Sequence, residues 1–549
     1  MKKILTFFLT MLVSCSVAWG LTGIQTVQGQ DTPRLFEQER DGAPVRPLSP
    51  ERLAELRDPF FNLVLRDHAE VFNLARIEAL ITANSGEEQT FVVSELIESE
   101  SPGSSNRPAT RRAVLTFSGE NQGETLDRNI MMSVFFNANR FPDIQNIETL
   151  SWDSQQERYN YYKLDQQGTG NFSWKFRGSS VGAEQLSPRQ RVGTCLQCHI
   201  NGAPVFKELP FPWNNWHSFQ DQASYLRTRW PVGQNPRIRT NLRGAEELET
   251  NVIVPAIHKF NTTQIEANID QTSNQGINQA LDGQRLLRPL FTTTEFNLIS
   301  SGEQVGGLHP FSELAPGPFN DVRVPNSFFL NADLIGGNGP AAIQGLQIPE
   351  ANRFSDAVLV EPDEYRQLIA NAQVKLGGQE GDANFAWFTP QASQIDNDWV
   401  DQLLTKGIVT PEFVAAVLAI DLETPFLSTA REELLRFIPE QFTFTPLDQQ
   451  SHPDNLTQQV IAALETENPA DGSTAAEFLT LLRSDNPVDI LQARVADYRN
   501  RLVSLLADPT TRFSELTRLY DLAIAHRQAI RDSRSLRPLD EFGLLFPLP

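Results

Sequence analysis

The chain has 549 residues, enough for about three or four domains, and is 40% hydrophobic, 9% aromatic and 21% charged, the balance of a globular protein with a real core. Its formal net charge of −22 argues against a nucleic-acid or anionic-lipid surface; it suits solubility first and a basic partner second. With three cysteines, one of them inside the leader, a disulfide framework is excluded.

Residues 1–20 read as an export signal. Lys2 and Lys3 are followed by an apolar run from Ile4 to Val13, then by Ser16 and Ala18 at cleavage-site spacing. The run is too short to span a bilayer. "LVSC", ending at Cys15, resembles a bacterial lipobox, so lipidation of Cys15 stands beside simple cleavage after Ala18 or Gly20. No later apolar run is long enough to span.

Residues 21–50 are polar and contain prolines, the composition of a linker. Ser49-Pro50-Glu51 predicts a helix start, with Leu53, Leu56 and Phe60 on its apolar side. Residues 98–110 read as a loop and Arg112 to Phe117 as a strand. "RNIMMSVFF" is apolar and suits a core position for Met131 and Met132. A hairpin follows, with arms Arg158 to Leu164 and Phe172 to Phe176; Phe172, Trp174 and Phe176 alternate with polar residues. It ends fewer than twenty residues before the next motif. Packing elsewhere is its first reading, and a wall of that site the second.

"CLQCH" holds Cys195, Cys198 and His199, and no cysteine outside the leader lies elsewhere. Thiols at i and i+3 share one face of a helical turn. There they can add across two vinyl groups while the adjacent imidazole reaches the iron. A thioredoxin-like redox pair and half of a zinc site are the competing readings; the second needs further ligands at matching spacing.

On these five residues the chain resembles c-type cytochromes. The resemblance implies one covalent haem c, thioethers at Cys195 and Cys198, and His199 as the proximal iron ligand. It also implies a carbonyl set against the proximal imidazole, for which Pro210 and Pro212 are candidates. Many such proteins use methionine as the sixth ligand, but none follows His199 here, which counts against a high-potential His/Met site. The sixth position is then a histidine, an open site, or Met131 or Met132 from upstream. His217, beside Trp213 and Trp216, is the first candidate; His258 and His309 are alternatives, and His452 and His526 read as surface residues.

Residues 193 to 350 are rich in Gly, Pro and Asn; "GGNGPAA" at Gly336 lacks the helix a nucleotide loop needs. Beyond residue 355 the pattern turns helical. Thr410-Pro411-Glu412 starts one helix with Val414, Val417 and Leu418 on a face. Asn486-Pro487 starts another with Leu491, Val495, Tyr498, Leu502 and Leu505. A third carries Phe513, Leu516, Tyr520 and Ala523.

The expected fold is therefore α+β and multidomain. It comprises a signal peptide (1–20), a linker (21–50), a small β-containing N-terminal α+β region (51–180), a loop-rich cytochrome c-like haem domain (181–350) and a mainly helical C-terminal domain (351–549). The expected function is an exported, periplasmic or envelope electron-transfer protein, docking a redox partner of basic character. It has no nucleic-acid role and no membrane link beyond a lipid on Cys15. The alternatives are a haem enzyme or gas-binding protein with an open sixth position, such as a peroxidase or oxygenase, and an envelope interaction protein in which the haem segment is a minor module.

Overall fold

The computed structural model describes residues 35–38, 44–84, 86–94, 110–137, 147–166, 172–182, 195–199, 202–204, 242–243, 245–271, 277–292, 323–324, 358–359, 394–424, 428–446, 455–515, 517–518 and 521. Residues 1–34 with Cys15, residues 98–109 of the expected loop, Pro210, Pro212, His217, His309, Gly336, His452 and His526 lie outside them, and Thr110, the last residue of that expected loop, opens a strand.

The central element is a nine-stranded sheet. Its strands are β1 (Phe36–Glu37), β2 (Arg46–Pro47), β3 (Glu87–Ser94), β4 (Thr110–Ser118), β7 (Ile130–Asn137), β8 (Ile147–Asp153), β9 (Arg158–Gln166), β10 (Phe172–Ser179) and β11 (Leu242–Arg243). The numbers β5 (Glu120–Asn121) and β6 (Glu124–Thr125) belong to a separate small hairpin. The sheet order is β11-β3-β4-β7-β8-β9-β10-β1-β2. From β3 to β10 each strand pairs antiparallel with the next, as short connections favour. β1 adds parallel to β10 and β11 parallel to β3, so the sheet is mixed and the architecture is α+β. Part of the stretch that reads as a linker is thus built into the sheet edge, with Leu35 and Leu48 buried.

Alternation along the strands sends neighbours to opposite faces. One face carries Ala113, Leu115, Met132, Tyr162, Leu164, Trp174 and Phe176. They pack against α1 (Pro50–Glu55), a π-helical turn at Phe61–Leu65 and α2 (Leu74–Ile81). The predicted cap is present, with Ser49 Oγ accepting from Arg52 N at 3.3 Å. The helix stops at Glu55, so Phe60 is carried by the next turn rather than by α1. Asp58 binds this layer to the sheet. Its carboxylate accepts from Tyr162 Oη (2.5 Å), Asn160 Nδ2 (2.8 Å) and Phe61 N (3.0 Å). Burial raises its pKa against the opposing effect of those donors.

The other face carries Phe91, Val114, Met131, Leu150, Trp152, Tyr159 and Tyr161. That apolar cluster continues without a break into the C-terminal helices as far as Tyr498. Its helices include α4 (Val254–Glu266), α5 (Gly283–Thr292), α6 (Gln394–Thr405), α7 (Pro411–Ala419), α8 (Asn455–Glu467), α9 (Thr474–Leu482) and α10 (Pro487–Ala507). Thr410 caps α7 as predicted, its Oγ1 accepting from Phe413 N at 3.2 Å. Every residue from Phe413 to Ala419 is buried, so α7 is a central helix rather than one with a single apolar face. Leu491, Val495 and Tyr498 are buried along α10 as the spacing predicts. Of the third predicted helix, residues 511–515 are helical and Phe513 packs against the same cluster; Leu516, Tyr520 and Ala523 lie outside the described residues.

Candidate functional site

Cys195–Cys198 form a four-residue helical turn, α3, seated on the hairpin β9–β10. The hairpin's second arm, β10, thus lies against the motif turn. Leu196 and Ala203 are buried in the apolar cluster of that face, and Cys195 packs against it. The turn closes with His199 N donating to Cys195 O at 2.9 Å, and Gly202 N donating to His199 O at 2.9 Å.

Gly202 explains how the chain reverses here. Its φ is +77°, and a Cβ would lie 2.4 Å from Ser180 Cα. Ser180, at the end of β10, is tied to β9: Tyr159 N donates to its Oγ at 2.9 Å, and its own N donates to Tyr159 O at 2.8 Å. Backbone thus meets backbone where the motif touches the sheet. A bulge between Phe176 and Gly178 bends β10 under α3, and the Cβ position of Gly178 is 3.6 Å from Leu196 Cδ1.

His199 Nδ1 lies 2.8 Å from Ala203 O. A carbonyl has no proton to give, so Nδ1 carries the hydrogen and a metal would be bound through Nε2. The sequence points to Pro210 or Pro212 for this carbonyl; the structure gives it to Ala203, four residues past the histidine. The His199 ring meets that of Tyr161 at a centroid distance of 5.3 Å and an interplanar angle of 50°. Tyr161 Oη reaches Gly202 O at 2.5 Å and Ala203 O at 3.1 Å.

Beside this apolar part lies a charged one on the same sheet face. Asp165 Oδ2 meets Lys175 Nζ at 2.8 Å and Arg177 Nη2 at 3.3 Å, and Glu148 Oε1 meets Lys163 Nζ at 3.2 Å. Gln38, just after β1, accepts from Lys175 Nζ at 2.7 Å. The Lys175 and Arg177 side chains are only 7% and 2% exposed. Burial pushes the Cys195 thiol up to about 12, with Glu148 adding to the rise and Arg177 and Lys163 opposing it. A thiol that stays protonated is unlike the low-pKa attacking cysteine of a redox pair, and α3 lies on an antiparallel hairpin rather than in a βαβ unit. Among the described residues no three His, Cys, Asp or Glu side chains converge as a metal cage.

Of the sixth-ligand candidates, His217 and His309 lie outside the described residues. His258 is on α4, with Nδ1 2.8 Å from Asp398 Oδ1 on α6 and 62% of its side chain exposed. Met131 and Met132 fall on opposite faces of the sheet, so Met131 shares the motif's side and Met132 packs with the N-terminal helices. Tyr161, Gly202, the Ala203 carbonyl and the Lys163–Lys175–Arg177 group are the site features that sequence reasoning missed. The odd-numbered alternation of Tyr159, Tyr161 and Lys163 was the one signal available for them.

No family profile matches the chain, and no curated protein or solved structure is similar to it. Among the described residues no helix is long and apolar enough to cross a membrane.

Proposed function

We propose that this chain is an exported c-type cytochrome that carries one haem c on Cys195 and Cys198, ligated by His199, and transfers electrons. The observation that carries the reading is the His199 Nδ1–H···O=C contact to Ala203, which fixes the tautomer and ring direction that metal-bound histidines need. Two further features support it. Cys195 and Cys198 share one helical turn, and the Cys195 thiol is kept neutral in an apolar seat. These residues fit a covalently tethered haem, which would supply a one-electron iron couple.

In this reading the segment 181–350 bears the haem in a cytochrome c-like manner, while β9 and β10 of the 51–180 region form its floor. His199 holds its ring by Nδ1, beside the apolar face that contains Leu196 and Tyr161. His217 is the proposed sixth ligand, with His258 and His309 behind it. The acidic surface favours a basic redox partner, and a lipid on Cys15 would hold the protein at the cell envelope.

The test is an optical spectrum of the mature protein made with the c-type maturation machinery, recorded reduced, with and without carbon monoxide. Covalent haem is read by mass after denaturation. Haem that survives denaturation and is lost in a Cys195→Ala/Cys198→Ala variant supports the proposal, and a protein that carries none overturns it. Bands unchanged by carbon monoxide mean two strong protein ligands and electron transfer; a shift moves the assignment to a gas-binding protein or enzyme with an open position.

A further inference from the structure

One phenol faces two consecutive carbonyls of the motif's return turn. Tyr161 Oη is 2.5 Å from Gly202 O and 3.1 Å from Ala203 O, and Ala203 O is also the acceptor for His199 Nδ1 at 2.8 Å. The phenol is itself fixed. β9 is paired on both sides, by β8 and β10, and the Tyr161 side chain is buried. Both of its neighbours are carbonyl oxygens, which can only accept, so the hydroxyl donates. The turn's own closure is local, through Gly202 N and His199 O. Tyr161 ties the turn's carbonyls to the sheet, over a separation of about forty residues.

We infer that Tyr161 is a positioning residue for the iron ligand: its hydroxyl holds the Gly202–Ala203 backbone so that the Ala203 carbonyl stays on His199 Nδ1, and it thereby sets how strongly His199 donates to the metal. The inference rests on the proposed haem reading. A held Nδ1–H···O bond makes the imidazole more basic, which favours the oxidised iron and lowers the potential. Releasing the carbonyl weakens that bond and raises the potential.

Tyr161→Phe keeps the ring and removes only the hydroxyl. The expected result is a higher reduction potential, by roughly a two- to tenfold change in the oxidised-to-reduced ratio at a fixed poise, where tenfold is about 59 mV for one electron. Tyr159→Phe is the control. It lies on the same strand and face, its hydroxyl is directed at Ala256 O (3.5 Å), and its loss leaves the potential unchanged. An unchanged potential in Tyr161→Phe overturns the inference. So does a fall, which would mean that the hydroxyl competes with His199 for the carbonyl instead of holding it.

A second measurement needs no variant. In protein labelled with 15N-histidine, the His199 Nδ1 proton is expected to exchange slowly with deuterium, and exchange complete within the dead time overturns the inference. This readout exists with or without haem. A chain that carries no covalent haem therefore sinks the function proposed above, while the exchange rate still decides whether the held carbonyl keeps its imidazole.

Discussion

Replacing Gly202 by alanine places a methyl group where the structure has no room for one. The new Cβ would stand 2.4 Å from Ser180 Cα and 2.7 Å from Ser180 Cβ, on a backbone whose φ is +77°. The left-handed conformation costs a non-glycine residue about 1–2 kcal/mol. Forcing the overlap apart adds about 1–3 kcal/mol, as overpacking does elsewhere. The neighbour must be moved as backbone, because Ser180 is bonded to Tyr159 through both its N and its Oγ. The expected loss is therefore about 2–5 kcal/mol, concentrated where α3 meets β10. Gly182→Ala isolates the first component: its φ is +76° and nothing lies within 4 Å of its Cβ position, so it should lose only the conformational share. Urea denaturation followed by tryptophan fluorescence compares the two. A Gly202→Ala protein no less stable than Gly182→Ala would refute the argument that close backbone contact seats the motif.

Two further outcomes follow from the charges. Asp165→Ala removes the carboxylate shared by the buried Lys175 and Arg177, and should cost about 3–5 kcal/mol in chemical denaturation. The exposed pair Arg436–Glu467 serves as reference, since its removal should cost at most about 1 kcal/mol. Asp401 is raised from 3.8 to about 6, by burial first and by Asp398 second, with His258 opposing. Its folded form thus favours the proton. The associated stability is present below about pH 4 and lost as pH rises through 6. Asp401→Asn should make the protein more stable than wild type above pH 6, by on the order of 1 kcal/mol once partial exposure is allowed for. An unchanged difference between the two proteins from pH 4 to pH 7 would show that Asp401 is not the group responsible.

Local features were legible in the sequence because their causes are local. Ser49 and Thr410 cap the helices they precede, and the β9–β10 arms lie where alternation put them. The C-x-x-C-H turn is helical because four residues are enough to define it. What escaped depended on distant partners. β1 and β2 look like linker because strands of two residues take their stability from their neighbours, β1 from β10 and β2 from β1, not from their own pattern. α7 reads as one-faced because nothing in nine residues says that both sides will be covered. The acceptor for His199 is a backbone carbonyl, which every residue possesses, so no residue type marks Ala203. Tyr161 shows only as one aromatic among several in "RYNYYKL". The separation of Met131 from Met132 was within reach, since adjacent residues of a strand cannot share a face.

The described anchors of the motif, Tyr161, Gly178 and Ser180, all precede it in the chain, whereas the helices that extend its apolar cluster, from Leu248 to Tyr498, all follow it. Synthesis runs in that direction, at roughly 5–20 residues per second. A chain that emerges N-terminus first therefore presents the strands of the floor before the motif, and the helices of the shared cluster only about tens of seconds later. Within that interval the Cys195–Cys198 turn can reach its seat on β10 before the later helices of the shared cluster exist, so the order of residues alone lets the motif settle ahead of them.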